Sequence, residues 1–157
     1  MSYFVGNSFS GCKLYCLDIV GSQNLRINNN VFYNGKMSHV RALSIRNYHF
    51  KNNLMIAVQK GSIKGVVSCY TSYNSVPQSV IVSDNVCQGS DSHGFAITLN
   101  RCSDNFFSYT NNTVNSASVG FILNKAPGAC QIAKGLKAFA CGIGQISSPS
   151  PTNTLIF

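Results

Sequence analysis

Catalysis by this chain would rest on four aspartates and three histidines, because glutamate is absent. Asp84, Asp91, His93 and Asp104 lie close together in the sequence and form the one local acidic group. Polysaccharide hydrolases and lyases use clustered carboxylates beside a base to move protons at a sugar. A carbohydrate-active or glycan-binding protein is therefore the alternative function that these residues offer. They also have a plainer reading. Asp91-Ser-His93 lies among Ser and Gly, where an aspartate bonds its own backbone in a turn. Asp84 occupies a repeat slot that Asn29, Asn52 and Asn111 fill elsewhere, so it reads as a corner residue.

Seven cysteines are the second source of chemistry. Cys12-x-x-x-Cys16 is not a usual zinc pair, and no second Cys or His pair follows at zinc-ribbon spacing. His39 and His49 stand alone. Disulfides fit better. Cys102 follows Asn85 at nearly the same interval as Cys130 follows Asn112. If the Asn residues mark successive turns of a stack, these two thiols sit on adjacent strands ~4.8 Å apart, within disulfide reach. Cys69 competes for Cys102, and Cys12–Cys16 and Cys130–Cys141 are local alternatives. Cys87 falls at an inward position and reads as a buried free thiol.

Twelve Lys and Arg against four Asp give a net charge of +8. The cations are scattered (Arg26, Arg41, Arg46, Lys60, Lys64, Arg101) and concentrate only between 125 and 137. No nucleic-acid-binding motif accompanies them, so they read as a solvated basic face. Asn111-Asn112-Thr113 is the only N-glycosylation sequon and falls at a turn, which makes Asn111 the candidate glycan site.

The elements that position these residues follow from composition and repeats. Hydrophobic residues make up 45% of the chain and charged residues only 10%. The polar surface must come from neutral groups, including 18 Asn and 21 Ser. Surface helix formers are scarce, which argues against a helical protein. The apolar content is too high for disorder, and no run reaches the ~18 apolar residues of a membrane helix. Tryptophan is absent, which weakens an aromatic sugar platform.

Four segments align without gaps: Leu25 to Phe32, Tyr48 to Met55, Val80 to Cys87 and Phe107 to Val114. The shared pattern is apolar, any, apolar, any, Asn or Asp, Asn, any, apolar. A weaker copy is Phe4-Val-Gly6-Asn7-Ser-Phe9. The last Asn of each copy falls at Asn7, Asn30, Asn53, Asn85 and Asn112. The first two steps are equal, and the later two are longer. A second element follows: Leu17-Asp-Ile19, Leu43-Ser-Ile45, Phe95-Ala-Ile97 and Phe121-Ile-Leu123, with Val66-Val67-Ser-Cys69 filling the gap. Each unit holds two or three short alternating runs, which read as strands, joined by Asn, Gly and Ser turns.

A repeat of about 22–30 residues with three short strands specifies an all-β right-handed parallel β-helix, here of about five to six rungs. The corner asparagines Asn7, Asn30, Asn53, Asn85 and Asn112 are expected to stack as an amide ladder. Residues 1–157 read as one segment, with an inserted loop or short helix at about 124–148 and an open C-terminal end. Leu155-x-Phe157 repeats the phase of Leu25-x-Ile27, so the sequence reads as stopping inside a rung. Cysteine density without a secretory signal agrees with an internal piece of a longer secreted or membrane-anchored chain.

The repeats resemble the parallel β-helix region of the fibrocystin and fibrocystin-L family. The resemblance runs over about residues 7–157 and is carried by Val82 to Ile97, Asn111 to Leu123 and Ala138 to Ile146. In that family a turn of the form Asn-x-Val, several small polar residues and then Gly-Phe recurs in this order. The resemblance implies a non-enzymatic structural or adhesive segment of a large extracellular or ciliary-surface protein, not itself membrane-spanning. The partners it implies are further β-helix rungs of the same parent chain, and other cell-surface proteins or glycans, with no nucleic acid. No catalytic residue, cofactor or metal is expected.

Overall fold

A computed structural model describes residues 1–35, 38–43, 46–57, 67–70, 79–99, 106–125, 132–147 and 154–156. All regular structure there is strand: β1 Ser2–Val5, β2 Ser8–Ser10, β3 Tyr15–Val20, β4 Gln23–Asn28, β5 Val31–Tyr33, β6 Ser38–Leu43, β7 Arg46–Lys51, β8 Leu54–Ile56 and β9 Val67–Tyr70. The series continues with β10 Ser79–Ser83, β11 Val86–Leu99, β12 Phe106–Thr110, β13 Thr113–Lys125, β14 Ile132–Lys134, β15 Lys137–Phe139, β16 Ile143–Ser147 and β17 Thr154–Ile156.

Every strand pairing is parallel and links one rung to the next. The first sheet runs β1-β4-β7-β10-β12-β14-β17, the second β2-β5-β8-β11-β13-β15 with β16 also on β13, and the third β3-β6-β9. This is the parallel β-solenoid expected from the repeats. The first sheet stacks seven strands and the third only three, so the rung number differs slightly from the five to six expected. The aligned segments fall into register, with Leu25 on Tyr48, Tyr48 on Val80 and Val80 on Phe107.

Alternation places one face of each strand inside. Ile27, Phe50, Val82 and Tyr109 form one buried column, and Phe32, Met55, Cys87 and Val114 another. Rings stack along the axis. Phe9 and Phe32 lie 5.0 Å apart and nearly coplanar, and Phe95 and Phe121 lie 5.8 Å apart. Tyr109 meets both Phe95 and Phe121 edge-on. Such columns bury apolar area without demanding one residue type per slot.

Three details differ from expectation. Residues 132–147 are not an inserted loop or helix, because β14, β15 and β16 pair in parallel with β12 and β13 and continue the solenoid. Leu17 pairs with Val40, not with Leu43, so between these two rungs the second element repeats with the same step as the first. Leu155 takes the column of Ile27 through Ala133 and Tyr109, not the column of Leu25.

Candidate functional site

The corner between the first and second sheets holds most of the residues that the repeats single out. Two positions define it. The outer one carries Gly6, Asn29, Asn52, Asp84, Asn111 and Gly135, all with positive φ between 53° and 70°. Asparagine and glycine are the residues that enter this left-handed region cheaply. Their amides donate to the next rung, as from Asn52 to the Ser83 carbonyl at 3.1 Å. Two positions later the amide points the other way, as from Leu54 to the Asn30 carbonyl at 2.9 Å.

The N–H between them, on Asn7, Asn30, Asn53 or Asn85, needs a different acceptor. The next rung supplies it from a side chain. Asn53 Oδ1 accepts from the Asn30 amide at 3.0 Å and from Asn30 Nδ2 at 3.1 Å. Asn53 Nδ2 donates to Asn85 Oδ1 at 3.0 Å and back to the Ile27 carbonyl at 2.8 Å. This carboxamide thus makes four bonds, its full ordinary capacity. Asn30 and Asn85 repeat the pattern. Asn30, Asn53, Asn85 and Asn112 are buried; saturation makes the first three tolerable in the core, and Asn112 keeps three of the four bonds.

The column ends at Leu136, a slot the repeats did not reveal. Lys137 pairs with Thr113, which puts Leu136 above Asn112 with no oxygen to accept. Gly135 was the available signal, since it stands where Gly6 stands before Asn7. A Cβ on Gly135 would lie 2.4 Å from Asn111 Oδ1, and its φ is +65°, so both space and backbone call for glycine.

Of the acidic group, Asp84 is the member whose side chain is described. Asp84 is exposed at the corner, with φ 59°, and accepts from Asn111 Nδ2 at 3.2 Å. Asp91 and His93 lie in β11 of the second sheet, where the pairing with β13 shifts register between Ser90 and His93. Asp104 lies outside the described residues.

Cys12 and Cys16 form a disulfide, one of the local alternatives. The expected Cys102–Cys130 pair lies outside the described residues. Cys87 is a free, fully buried thiol in the inward column, and burial pushes it up to about 12. Asn111 is exposed at its corner, as a glycan would require.

Three features were not legible from spacing. Asp18 on β3 and Arg41 on β6 are register neighbours and form a two-point ion pair, 2.8 Å from Nε to Oδ1. Arg41 also lies 4.3 Å over the Tyr15 ring, and its guanidinium holds the Asp18 carboxyl below the usual range. His39 is fully buried, its Nε2 3.0 Å from the Ile56 carbonyl, and burial lowers its pKa. Third, the register sets Arg26 beside His49, with Lys51 two residues along the same face.

Fold and corner together define a parallel β-solenoid clamped by a buried asparagine ladder. No family model matches the sequence, and no curated protein or solved structure shows significant similarity to it.

Proposed function

We propose that the chain is a non-enzymatic structural and adhesive segment of a large extracellular or ciliary-surface protein, akin to fibrocystin and fibrocystin-L. The observation that supports this most is the saturated asparagine column. The repeated polar residues of the chain bond to one another and hold rungs in register, which serves a stiff elongated surface. In this reading Asn111 carries a glycan, and the partners are further rungs and other cell-surface proteins or glycans.

Two measurements test the proposal. Antibody to the solenoid on intact ciliated cells, with membrane-impermeant biotin, should label the surface and the cilium. Exclusively intracellular protein would refute the location. Incubation with hyaluronan, heparin or chondroitin sulfate should leave their chain lengths unchanged on size-exclusion chromatography. Progressive shortening would refute the non-enzymatic reading and redirect attention to Asp84, Asp91, His93 and Asp104.

A further inference from the structure

The outer face of the first sheet carries a group of cations with no acid opposite. Arg26 of β4 pairs in register with His49 of β7, and Lys51 follows His49 on the same face. Backbone spacing puts these three within a triangle of roughly 5 by 7 Å, small enough for long side chains to converge on one ligand. Arg26 is pre-positioned. Its Nη1 donates to the Leu25 carbonyl at 3.2 Å and to the Asn47 carbonyl at 3.1 Å, which holds the guanidinium across the start of β7.

The adjoining outer column adds polar groups on both sides of Lys51. Asn28 and Ser83 are its register neighbours. Ser83 is 4% exposed, and its Oγ has no hydrogen-bond partner. The Asn28 Oδ1 is likewise buried without a partner. Both atoms are sealed from solvent, so Lys51 is flanked by buried polar groups and its ammonium is the part that reaches the surface ligand. Asp84 follows β10 at the corner, and its carboxylate is engaged by Asn111. The only ion pair among the described residues is Asp18–Arg41, on the third sheet. Register-paired like charges repel, so a cluster of this kind is stabilised by an anion.

We infer that Arg26, His49 and Lys51 form a binding site for a tetrahedral oxyanion, a sulfate or phosphate group. Arg26 and Lys51 supply charge, and protonated His49 supplies a directed donor. In the free protein burial, then Arg26 and Lys51, lower the His49 pKa, and a bound dianion reverses the charge part of that shift. The inference stands on this face alone and is independent of where the protein works.

The test is an NMR titration of the full 157-residue chain with sodium sulfate and with sodium phosphate. Sodium chloride at matched ionic strength is the control. Saturable shifts should centre on residues 26, 49 and 51, and the His49 pKa should rise on saturation. Saturation with either anion supports the site and shows which one it prefers. Lys51→Gln should weaken binding about fivefold or more, a loss typical of one charge-assisted contact. Lys13→Ala, an exposed lysine remote from this face, should change nothing. Circular dichroism verifies that each variant folds, and the His49 pKa in the unmodified chain is a readout that needs no variant. Shifts no different from chloride, or equal losses for Lys13→Ala and Lys51→Gln, would overturn the site.

Discussion

Replacing Asn53 with alanine should damage this fold far more than replacing its neighbour Asn52. The two are adjacent and chemically identical, and only their places at the corner differ. Asn52 is exposed with φ 53°, so its alanine variant loses mainly a tolerance for left-handed backbone, about 1 kcal/mol. Asn53 is 2% exposed, and its carboxamide makes four hydrogen bonds of 2.8–3.1 Å. Its removal strands the buried Asn30 amide and takes a partner from Asn30 Nδ2 and from the Ile27 carbonyl. Asn85 Oδ1 keeps the Asn53 backbone N–H. At ~1–3 kcal/mol for a stranded buried group and ~1 for each further bond, the loss is about 3–5 kcal/mol. Asn53→Asp should be at least as harmful, because it keeps an acceptor, loses both donors and buries a charge. Urea unfolding followed by far-ultraviolet circular dichroism measures the differences as midpoint shifts at constant m. Equal losses at 52 and 53, or a tolerated aspartate at 53, would refute the ladder as the clamp of the fold.

Other outcomes follow from the buried groups. His39 has its pKa lowered by burial, so the unfolded chain binds the proton more readily; stability is full above ~6.5 and falls as pH drops through that range. His39→Gln should flatten the fall to the part left by His49, whose pKa is also lowered, and an unchanged pH profile would count against this. Iodoacetamide at neutral pH should spare Cys87 in the folded protein while reaching the partly exposed Cys141, as read by peptide mass mapping. Loss of the Cys12–Cys16 bridge by paired serine substitution should cost no more than about 2 kcal/mol, because the loop it closes is short. Gly120→Ala should destabilise by about 1–3 kcal/mol through overpacking, since a Cβ there would sit 2.5 Å from the Gly144 carbonyl; an unchanged melting temperature would contradict that packing.

The asparagine ladder was legible in the sequence for a physical reason. A carboxamide that must both accept from one rung and donate to the next needs a carboxamide on each side. The requirement forces literal repetition at Asn30, Asn53, Asn85 and Asn112, even though the intervening loops vary in length. Apolar columns impose a weaker rule. Phe50, Val82 and Tyr109 share a slot because each fills space, so the pattern there is apolar and not identical. On the third side the rule was too weak: Leu17 was aligned with Leu43 where the register joins it to Val40. The rung at 132–147 went unseen because Leu136 ends the ladder and so lacks its marker. Neither the Asp18–Arg41 pair nor the group at Arg26, His49 and Lys51 leaves a local trace. Arg41 follows Asp18, and His49 follows Arg26, by one whole rung, so these side chains meet only through register.

The same stacking explains why the chain is poor in charge. In a parallel solenoid each outward residue repeats about every 4.8 Å along the axis. Two like charges at that spacing repel by about 0.9 kcal/mol in water and about 3.5 at an effective dielectric of 20. A column of lysines would sum such terms over every rung, whereas a column of Asn or Ser adds none and offers lateral hydrogen bonds. Charge is admitted where register supplies its opposite, as where Arg41 meets Asp18. Arg26 beside His49 breaks that rule, with Lys51 adding to the repulsion. A neutral imidazole relieves the cluster in the free protein, which is the direction in which the His49 pKa is displaced. An oxyanion relieves it without giving up the imidazolium, so occupancy of the face and protonation of His49 should rise together.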